Sequence, residues 1–202
     1  MNAQEFEREE KAVAALCMRP AAYLIAVAGI PGAGKTTFAV RLAKRIENAV
    51  VLPMDGYHIP RAQLDPQGMA RRGARHTFVD AALRTDLTRL RRERHGAFPA
   101  FDHAEQDPRP AAIQVTAETP IIIVEGLYLL MSAWQLAPLF DLTIFLDCDL
   151  ELALSRVATR HLECGLVDSL EAGLARAESN DRRNALDVLG DGCRERADLV
   201  LA

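Results

Sequence analysis

The sequence is poor in cysteine, and its few cysteines are not arranged in metal-binding pairs. They stand at Cys17, Cys148, Cys164 and Cys193, with no C-x-x-C pair and no metal-ligand spacing among them. Unpaired thiols of this kind are typical of a reducing compartment, where they stay reduced. We therefore expect a cytoplasmic protein with free thiols.

Long apolar runs and an excess of basic residues are also missing. No run approaches the roughly 20 apolar residues that span a bilayer. The Glu-rich residues 1–11 lack the apolar core of a signal peptide. Lys and Arg number 24 against 28 Asp and Glu, a net charge of −4. We therefore expect neither a membrane nor a nucleic acid as a partner.

The sequence does contain enough apolar material for one domain. Its length is 202 residues, of which 50% are hydrophobic, so we expect a single globular domain over residues 1–202. Helical spacing over residues 3–18 predicts an N-terminal helix that packs on the domain or contacts another subunit. Arginines concentrate between residues 61 and 94, which suits an anionic ligand or, for the later ones, a solvated helix face.

One motif organises the rest of the chain. Residues 29–36 satisfy the pattern G-x-x-x-x-G-K-[ST] at every fixed position. An apolar run at 23–28 precedes the motif and helical spacing at 37–46 follows it, so the motif lies on a strand-to-helix turn. An ordinary glycine-rich turn is the alternative, which these flanking elements disfavour. The predicted nucleotide-binding residues are Gly29, Ile30, Pro31, Gly32, Ala33, Gly34, Lys35, Thr36 and Thr37.

The motif binds phosphate for a physical reason. Its glycines let the backbone curl so that successive N–H groups point inward, and the helix N-terminus adds a partial positive charge. Lys35 can reach the β- and γ-phosphates of a nucleotide, and the Thr36 hydroxyl can coordinate Mg²⁺. The motif therefore predicts binding of ATP together with Mg²⁺.

Further apolar runs predict the other strands. Four β-branched residues in one run indicate a strand at the centre of a sheet, and residues 111–115 could form a short edge strand. The predicted fold class is α/β, a P-loop hydrolase fold with a five-stranded, mainly parallel sheet, helices on both faces and a small lid. The main predicted strands are 23–28, 49–54, 119–126, 141–147 and 197–201.

Helical spacing predicts the elements between the strands. Asp168, with Glu171 three residues later, is the expected N-cap of one helix. Residues 59–78 lack periodicity, and a connection of this length is usually functional. We place the substrate region at residues 55–110. The predicted helices are 79–94, 150–162, 168–178 and a last one that ends at 189.

Two acids follow predicted strands and therefore share an edge with the motif. Asp55 follows the run at 49–54 and is a candidate general base, because a carboxylate can accept a proton from a substrate hydroxyl. A turn or cap aspartate before Gly56 is the alternative. Glu125 ends the run at 119–126 and is a candidate Mg²⁺ ligand, usually through water. Its alternative is a carboxylate that only terminates a strand.

Two arginines share one face of the helix predicted at 150–162. Arg156 and Arg160 are four residues apart, which places both side chains on the same side of a helix. Two guanidinium groups there can stabilise a phosphoryl group during transfer. The alternative is a surface pair that binds nearby acids such as Glu163.

Together these stretches resemble one family of P-loop kinases, which holds uridine kinase, phosphoribulokinase and type I pantothenate kinase. The resemblance covers nearly the whole chain. It is closest to the bacterial branch of fructose-transport-system kinases. The stretches that carry it are residues 29–37, 54–58, 71–74, 98–103, 124–130 and 180–185.

The resemblance implies roles for several residues. Asp55 falls on the catalytic base. Arg156 and Arg160 fall on the lid arginines, so the resemblance implies a small lid at about residues 156–170. Asn180 and Asn184 fall on a segment near the nucleotide. Phe101 stands where the family has a tyrosine, so any hydroxyl contact from that position is lost. The residues predicted to contact the substrate are Asp55, His58, Arg61, Asp102 and His103; from local sequence alone, Asp102 and His103 read as a turn aspartate beside a surface imidazole.

The implied activity is transfer of the ATP γ-phosphoryl group to a hydroxyl of a small molecule. A sugar, a nucleoside or a pantothenate-like alcohol all fit, and a fructose-like sugar is our first choice. Relatives commonly form homodimers, which we leave open. Three alternatives are a GTPase switch, whose N-K-x-D segment is absent, a transporter ATPase, whose L-S-G-G-Q signature is absent, and a non-catalytic nucleotide-binding regulator.

Overall fold

Strands and helices alternate along the chain, as the sequence predicts. The computed structural model describes residues 3–17, 19, 23–102 and 104–202. The elements are α1 (Ala3–Cys17), β1 (Leu24–Gly29), α2 (Lys35–Lys44), β2 (Val50–Pro53), α3 (Pro66–Ala70), α4 (Asp80–Glu93), β3 (Gly96–Asp102), β4 (Asp107–Val115), β5 (Ile122–Gly126), β6 (Leu142–Leu146), α5 (Leu150–Glu163), α6 (Leu170–Arg176), α7 (Arg182–Gly190) and β7 (Leu199–Leu201).

Five strands form a parallel sheet in the order β2-β5-β1-β6-β7. Every residue of β1, β5 and β6 is buried, because interior strands of a parallel sheet are covered on both faces. The α/β fold class is therefore confirmed. The β-branched run predicted at the centre forms β5, which is an interior strand but lies one place from the centre, between β2 and β1.

The register of this sheet assembles one edge. Glu125 of β5 pairs with Val27 of β1 on one side and with Pro53 of β2 on the other. Gly29, at the end of β1, pairs with Leu146 at the end of β6. Four carboxyl ends therefore meet at the same edge, which is where open α/β sheets bind ligands.

A second, two-stranded sheet departs from the prediction. β3 and β4 form an antiparallel hairpin with an irregularity between Phe98 and Ala100, where only a short strand at 111–115 was expected. Prolines at 99, 108 and 110 are unfavourable inside a sheet, because proline cannot donate a backbone hydrogen bond. The hairpin tolerates them because it stands apart from the main sheet and has free edges.

The helix that follows α5 differs from the prediction in its N-cap. The cap of α6 is Ser169, whose Oγ accepts a hydrogen bond from the backbone N–H of Ala172 at 3.1 Å, so the expectation for Asp168 was wrong. Aspartate and serine both cap helices well, so the sequence alone could not decide between Asp168 and Ser169 as the N-cap. A π-helical turn, Ala177–Asp181, joins α6 to α7.

Two aspartates accept hydrogen bonds from the ends of strands in the main sheet. Asp141 Oδ2 accepts hydrogen bonds from the backbone N–H groups of Tyr23 at 2.8 Å and Leu24 at 2.9 Å. Asp198 Oδ2 accepts from both N–H and Oγ1 of Thr143, each at 2.8 Å. Asp141 thus sets where β1 begins, and Asp198 aligns β7 with β6.

We predict that Asp141→Ala lowers the free energy of unfolding at pH 7 by about 1–3 kcal/mol, because two backbone donors lose their acceptor. Burial raises the pKa of Asp141, but hydrogen bonds from Leu24, Tyr23 and Arg91 outweigh it and hold the pKa below its usual value. The contribution is therefore complete above about pH 4 and disappears as pH falls through the folded-state pKa. Urea unfolding at several pH values measures both effects.

The control for this prediction is Asp168→Ala, which removes an exposed carboxylate. It should change the free energy of unfolding by less than about 0.5 kcal/mol. If both variants were equally stable, Asp141 would not be an anchor of β1.

Candidate active site

The predicted phosphate-binding loop connects β1 to α2, with a free helix N-terminus at its end. Gly34 is the N-cap of α2 with φ of 88°, and no side chain of the described residues caps the helix there. Ala33 N–H donates to the Ile30 carbonyl at 3.2 Å and closes the loop's own turn. The first N–H groups of a helix have no intrahelical partner, so this end of α2 is suited to an anion.

Gly32 explains how the loop fits against α5. It has φ of 78°, and a Cβ atom placed on it would lie 2.1 Å from the carbonyl oxygen of Ala153. A side chain here would therefore meet both backbone strain and a collision with the backbone of α5. The contact sets the loop directly beside the helix that carries the predicted lid arginines.

Lys35, Thr36 and Glu125 meet under the loop. Lys35 is 8% exposed and donates from Nζ to the Ile30 carbonyl at 2.8 Å, and Glu125 is 5% exposed. Thr36 Oγ1 donates to Glu125 Oε1 at 3.1 Å. Burial lowers the pKa of Lys35 and raises the pKa of Glu125, while their opposite charges counteract both shifts.

Asp55 lies in a short 3₁₀ turn, Met54–Tyr57, at the end of β2. β2 ends at Pro53, which pairs with Glu125, so the turn that carries Asp55 lies at the same sheet edge as the loop. There the negative charge of Asp55 raises the pKa of both Glu125 and Lys35. Its carbonyl oxygen accepts a hydrogen bond from His58 Nδ1 at 2.8 Å. The sheet register thus brings the predicted base and the predicted phosphate site together.

The predicted lid arginines face the loop. A cavity of about 170 Å³ is lined by loop residues and, from α5, by Arg156, Val157 and Arg160. Neither arginine forms an ion pair with a carboxylate among the described residues, which disfavours the alternative of a surface ion pair. Arg156 Nη1 donates to the sulfur of Cys148 at 3.6 Å, a weak acceptor that an anion in the loop can replace. The loop residues that line the cavity are Gly32, Gly34, Lys35, Thr36 and Thr37.

His58 is packed in an aromatic group beside Asp55. Its ring centroid lies 3.9 Å from that of Phe78 and 5.0 Å from that of Phe101. Burial lowers the pKa of His58, against the opposing effect of Asp55. The imidazole is therefore held neutral and in a fixed orientation next to the candidate base.

The other predicted substrate residues are less closely assembled. Asp102 Oδ1 accepts from the backbone N–H groups of Ala104 at 2.9 Å and Glu105 at 3.1 Å, which is the turn role that local sequence favoured. Arg61 is exposed, and its backbone N–H donates to Asp107 Oδ1 at 3.0 Å. His103 lies outside the described residues. Substrate contacts by these three residues stay predictions.

Asn184 has a different environment from the one expected. It is 1% exposed and accepts at Oδ1 from Arg71 Nη2 at 3.1 Å, while Asn180 Nδ2 donates to the Arg72 carbonyl at 3.0 Å. Neither asparagine lines the cavities beside the loop. The segment holds the 71–73 loop, so its geometry gives no support to a nucleotide contact.

The basic residues at 71 and 72 are likewise committed to the protein. Arg72 Nη2 pairs with Asp107 Oδ1 at 2.8 Å, and its Nη1 donates to the Gln106 carbonyl at 2.7 Å. These contacts join the connection before α4 to the hairpin. They account for two of the clustered arginines without an anionic ligand.

A larger cavity of about 670 Å³ continues from the loop. Its lining includes Arg8 and Glu9 of α1 and Asp147 and Cys148 after β6, none of which was predicted as a site residue. For Asp147 and Cys148 a signal existed, since both follow a strand whose end meets the loop. For Arg8 and Glu9 there was none, because their place depends on how α1 packs.

The comparisons with known proteins agree with this geometry. The model of the "Phosphoribulokinase / Uridine kinase family" matches residues 24–164. This chain belongs to that family. A "Putative uridine kinase" from Schizosaccharomyces pombe is 38% identical over 178 residues, which are 80% of this chain and 75% of that protein. The "ATP-dependent kinase-like protein notR'" from Aspergillus versicolor is 38% identical over 149 residues, 67% and 87% of the two chains.

A solved structure extends the likeness to the whole fold. The crystal structure of a "putative fructose transport system kinase" from Silicibacter sp. superposes with a TM-score of 0.86 at 30% identity, covering 96% of this chain and 98% of that one. Family membership and these relatives make the chain an ATP-dependent phosphotransferase, as predicted. The helices in the described segments are all too short or too polar to cross a bilayer.

We predict that Gly32→Ala weakens MgATP binding by about tenfold or more, since a side chain at this φ costs on the order of 1–3 kcal/mol and collides with Ala153. Isothermal titration calorimetry measures the affinity. Gly190→Ala is the matched control, because a Cβ there meets no atom within 4 Å. Unchanged affinity in Gly32→Ala would show that the loop does not need this conformation.

Proposed function

We propose that the chain transfers the γ-phosphoryl group of ATP to a hydroxyl of a small molecule, with a fructose-like sugar as the first candidate. One observation carries the proposal. Asp55 lies at the sheet edge where Lys35 is buried, and Arg156 and Arg160 line the cavity over the same loop. In-line transfer to an alcohol requires a carboxylate that faces the phosphate site and cations that neutralise the transferred group.

Asp55 is the group that takes the hydroxyl proton in this proposal. It is half-buried, and no side-chain hydrogen bond of the described residues is recorded for its carboxylate, so it can accept from an alcohol. Lys35 and the two arginines of α5 neutralise the charge of the transferred group. Positioning and electrostatics thus supply most of the catalysis.

The residues present suit a magnesium ion. Thr36 Oγ1 and Glu125 Oε1 are 3.1 Å apart, a hydroxyl and a carboxylate of the kind that hold Mg²⁺ directly or through water. The described residues contain no group of three or more His, Cys, Asp or Glu that could hold a metal, and Mg²⁺ with a nucleotide needs none, because phosphates and water complete its shell. When bound, Mg²⁺ neutralises phosphate charge and orients the nucleotide.

The acceptor would lie between Asp55 and the β3–β4 hairpin. His58 and Phe101 pack together there, and Asp102 ends β3 at the same tip of the hairpin. We propose His58, Arg61, Asp102 and His103 as acceptor contacts. The name of the Silicibacter relative supports a sugar as the first candidate, and that of the S. pombe relative supports a nucleoside as the second.

We predict that Asp55→Asn lowers the rate of phosphoryl transfer by about 10²- to 10⁴-fold and leaves MgATP affinity within about threefold, since the base acts on the acceptor. Lys35→Ala should lose both transfer and tight nucleotide binding, because its ammonium contacts the phosphates. Lys44→Ala, an exposed lysine at the end of the same helix, is the control. Near-normal turnover in Asp55→Asn would refute the base assignment.

The acceptor can be found by a coupled assay of ADP release. We expect one class among sugars, nucleosides and pantothenate-like alcohols to raise ADP release above the basal rate in wild type but not in Asp55→Asn. A protein that binds MgATP yet releases no ADP with any hydroxyl compound would instead be a nucleotide-binding regulator. Detection of the phosphorylated product by mass spectrometry completes the assay.

A further inference from the structure

The N-terminal helix α1 forms one wall of the 670 Å³ cavity beside the phosphate loop. Arg8 and Glu9 line it from α1, Phe38 and Arg41 from α2, and Leu152 from α5. The cavity shares Gly32, Gly34, Thr37 and Arg156 with the smaller cavity over the loop. A ligand with its phosphates on the loop would therefore continue into the space against α1.

Arg8 fastens this wall in place. Its Nε donates to the carbonyl of Ala202 at 3.0 Å, and its Nη2 donates to the carbonyl of Asp147 at 3.3 Å. The side chain thus extends from α1 across the end of β6, with its guanidinium at the cavity. A guanidinium held by hydrogen bonds in its own plane leaves its faces for stacking on an aromatic ring.

Glu9 carries an acceptor that the protein does not use. The residue is 3% exposed, and its Oε2 lies 3.4 Å from Nε of Arg45. Its Oε1 accepts no hydrogen bond among the described residues, and the nearest recorded cation, Nη1 of Arg41, is 4.0 Å away. A buried acceptor without a donor costs free energy, and a ligand N–H would remove that cost.

On the basis of the proposed function, we propose that α1 is part of the nucleotide site. The base of a purine nucleoside triphosphate occupies the larger cavity, stacked on the guanidinium of Arg8, with its exocyclic amino group directed at the carboxylate of Glu9. Both adenine and guanine carry such an amino group, and the volume suits a bound nucleoside. In this view α1 determines how tightly the base is held, while the loop holds the phosphates.

The test compares two ligands that share phosphates but differ in the base. MgATP reaches both cavities, whereas magnesium tripolyphosphate reaches only the loop. In Arg8→Ala and Glu9→Ala, calorimetry should show the Kd for MgATP raised about tenfold, as expected for a lost stacking or hydrogen-bond contact, and the Kd for tripolyphosphate changed less than about twofold. Lys11→Ala is the control, because Lys11 lies on α1 with 58% of its side chain exposed and pairs with Glu7.

Each other outcome overturns the inference in a recognisable way. MgATP affinity at the wild-type level in both variants would show that α1 does not contact the base, and the proposed kinase activity would be untouched. Equal weakening for both ligands would show that α1 acts through the loop and not through the base. A wild-type protein that binds neither ligand would overturn this inference and the proposed function together.

Discussion

A helix N-terminus that the protein leaves uncapped is the feature on which the site depends. β1 turns into α2 at Gly34, and the first amides of α2 have no side-chain cap among the described residues. Such an end attracts an anion because unpaired N–H groups and the helix dipole act together. The turn keeps its shape because β1 is buried on both sides and because Gly32 lies directly against the backbone of Ala153.

Around that turn the protein buries charge that a nucleotide would balance. Lys35 Nζ donates a hydrogen bond to the Ile30 carbonyl, and Glu125 Oε1 accepts one from Thr36 Oγ1. Each buried charge therefore has a hydrogen-bond partner within the loop or at its end. Arg156 and Arg160 add cations with no carboxylate partner in the described part of the chain. Burying a charge away from water costs free energy unless an opposite charge lies close to it. The phosphate chain of a nucleotide would supply negative charge to Lys35, Arg156 and Arg160, so this edge of the sheet suits a polyanion.

Some stretches that carry the family resemblance make contacts within the fold. Asn180 and Asn184 bind the backbone and side chains of residues 71–73, and the Tyr128 hydroxyl donates to the Gly73 carbonyl at 2.9 Å. These contacts fix the connection between His58 and α4. α5 and the π-helical turn after α6 share a small apolar cluster of Leu154, Val157, Ala158 and Ala177, separate from the main core.

The amino-acid order alone was sufficient for the parallel strands, the loop and the acids after β2 and β5, because apolar runs, glycine spacing and strand ends are local signals with a direct physical meaning. It was not sufficient for the β3–β4 hairpin, whose prolines contradict strand propensity, or for the cap at Ser169, where two good caps are neighbours. Asn184 lies against Arg71 because two segments more than 100 residues apart pack together. Arg8 and Glu9 lie beside the loop because α1 docks there. Such contacts depend on which faces meet in three dimensions, and no local pattern encodes that.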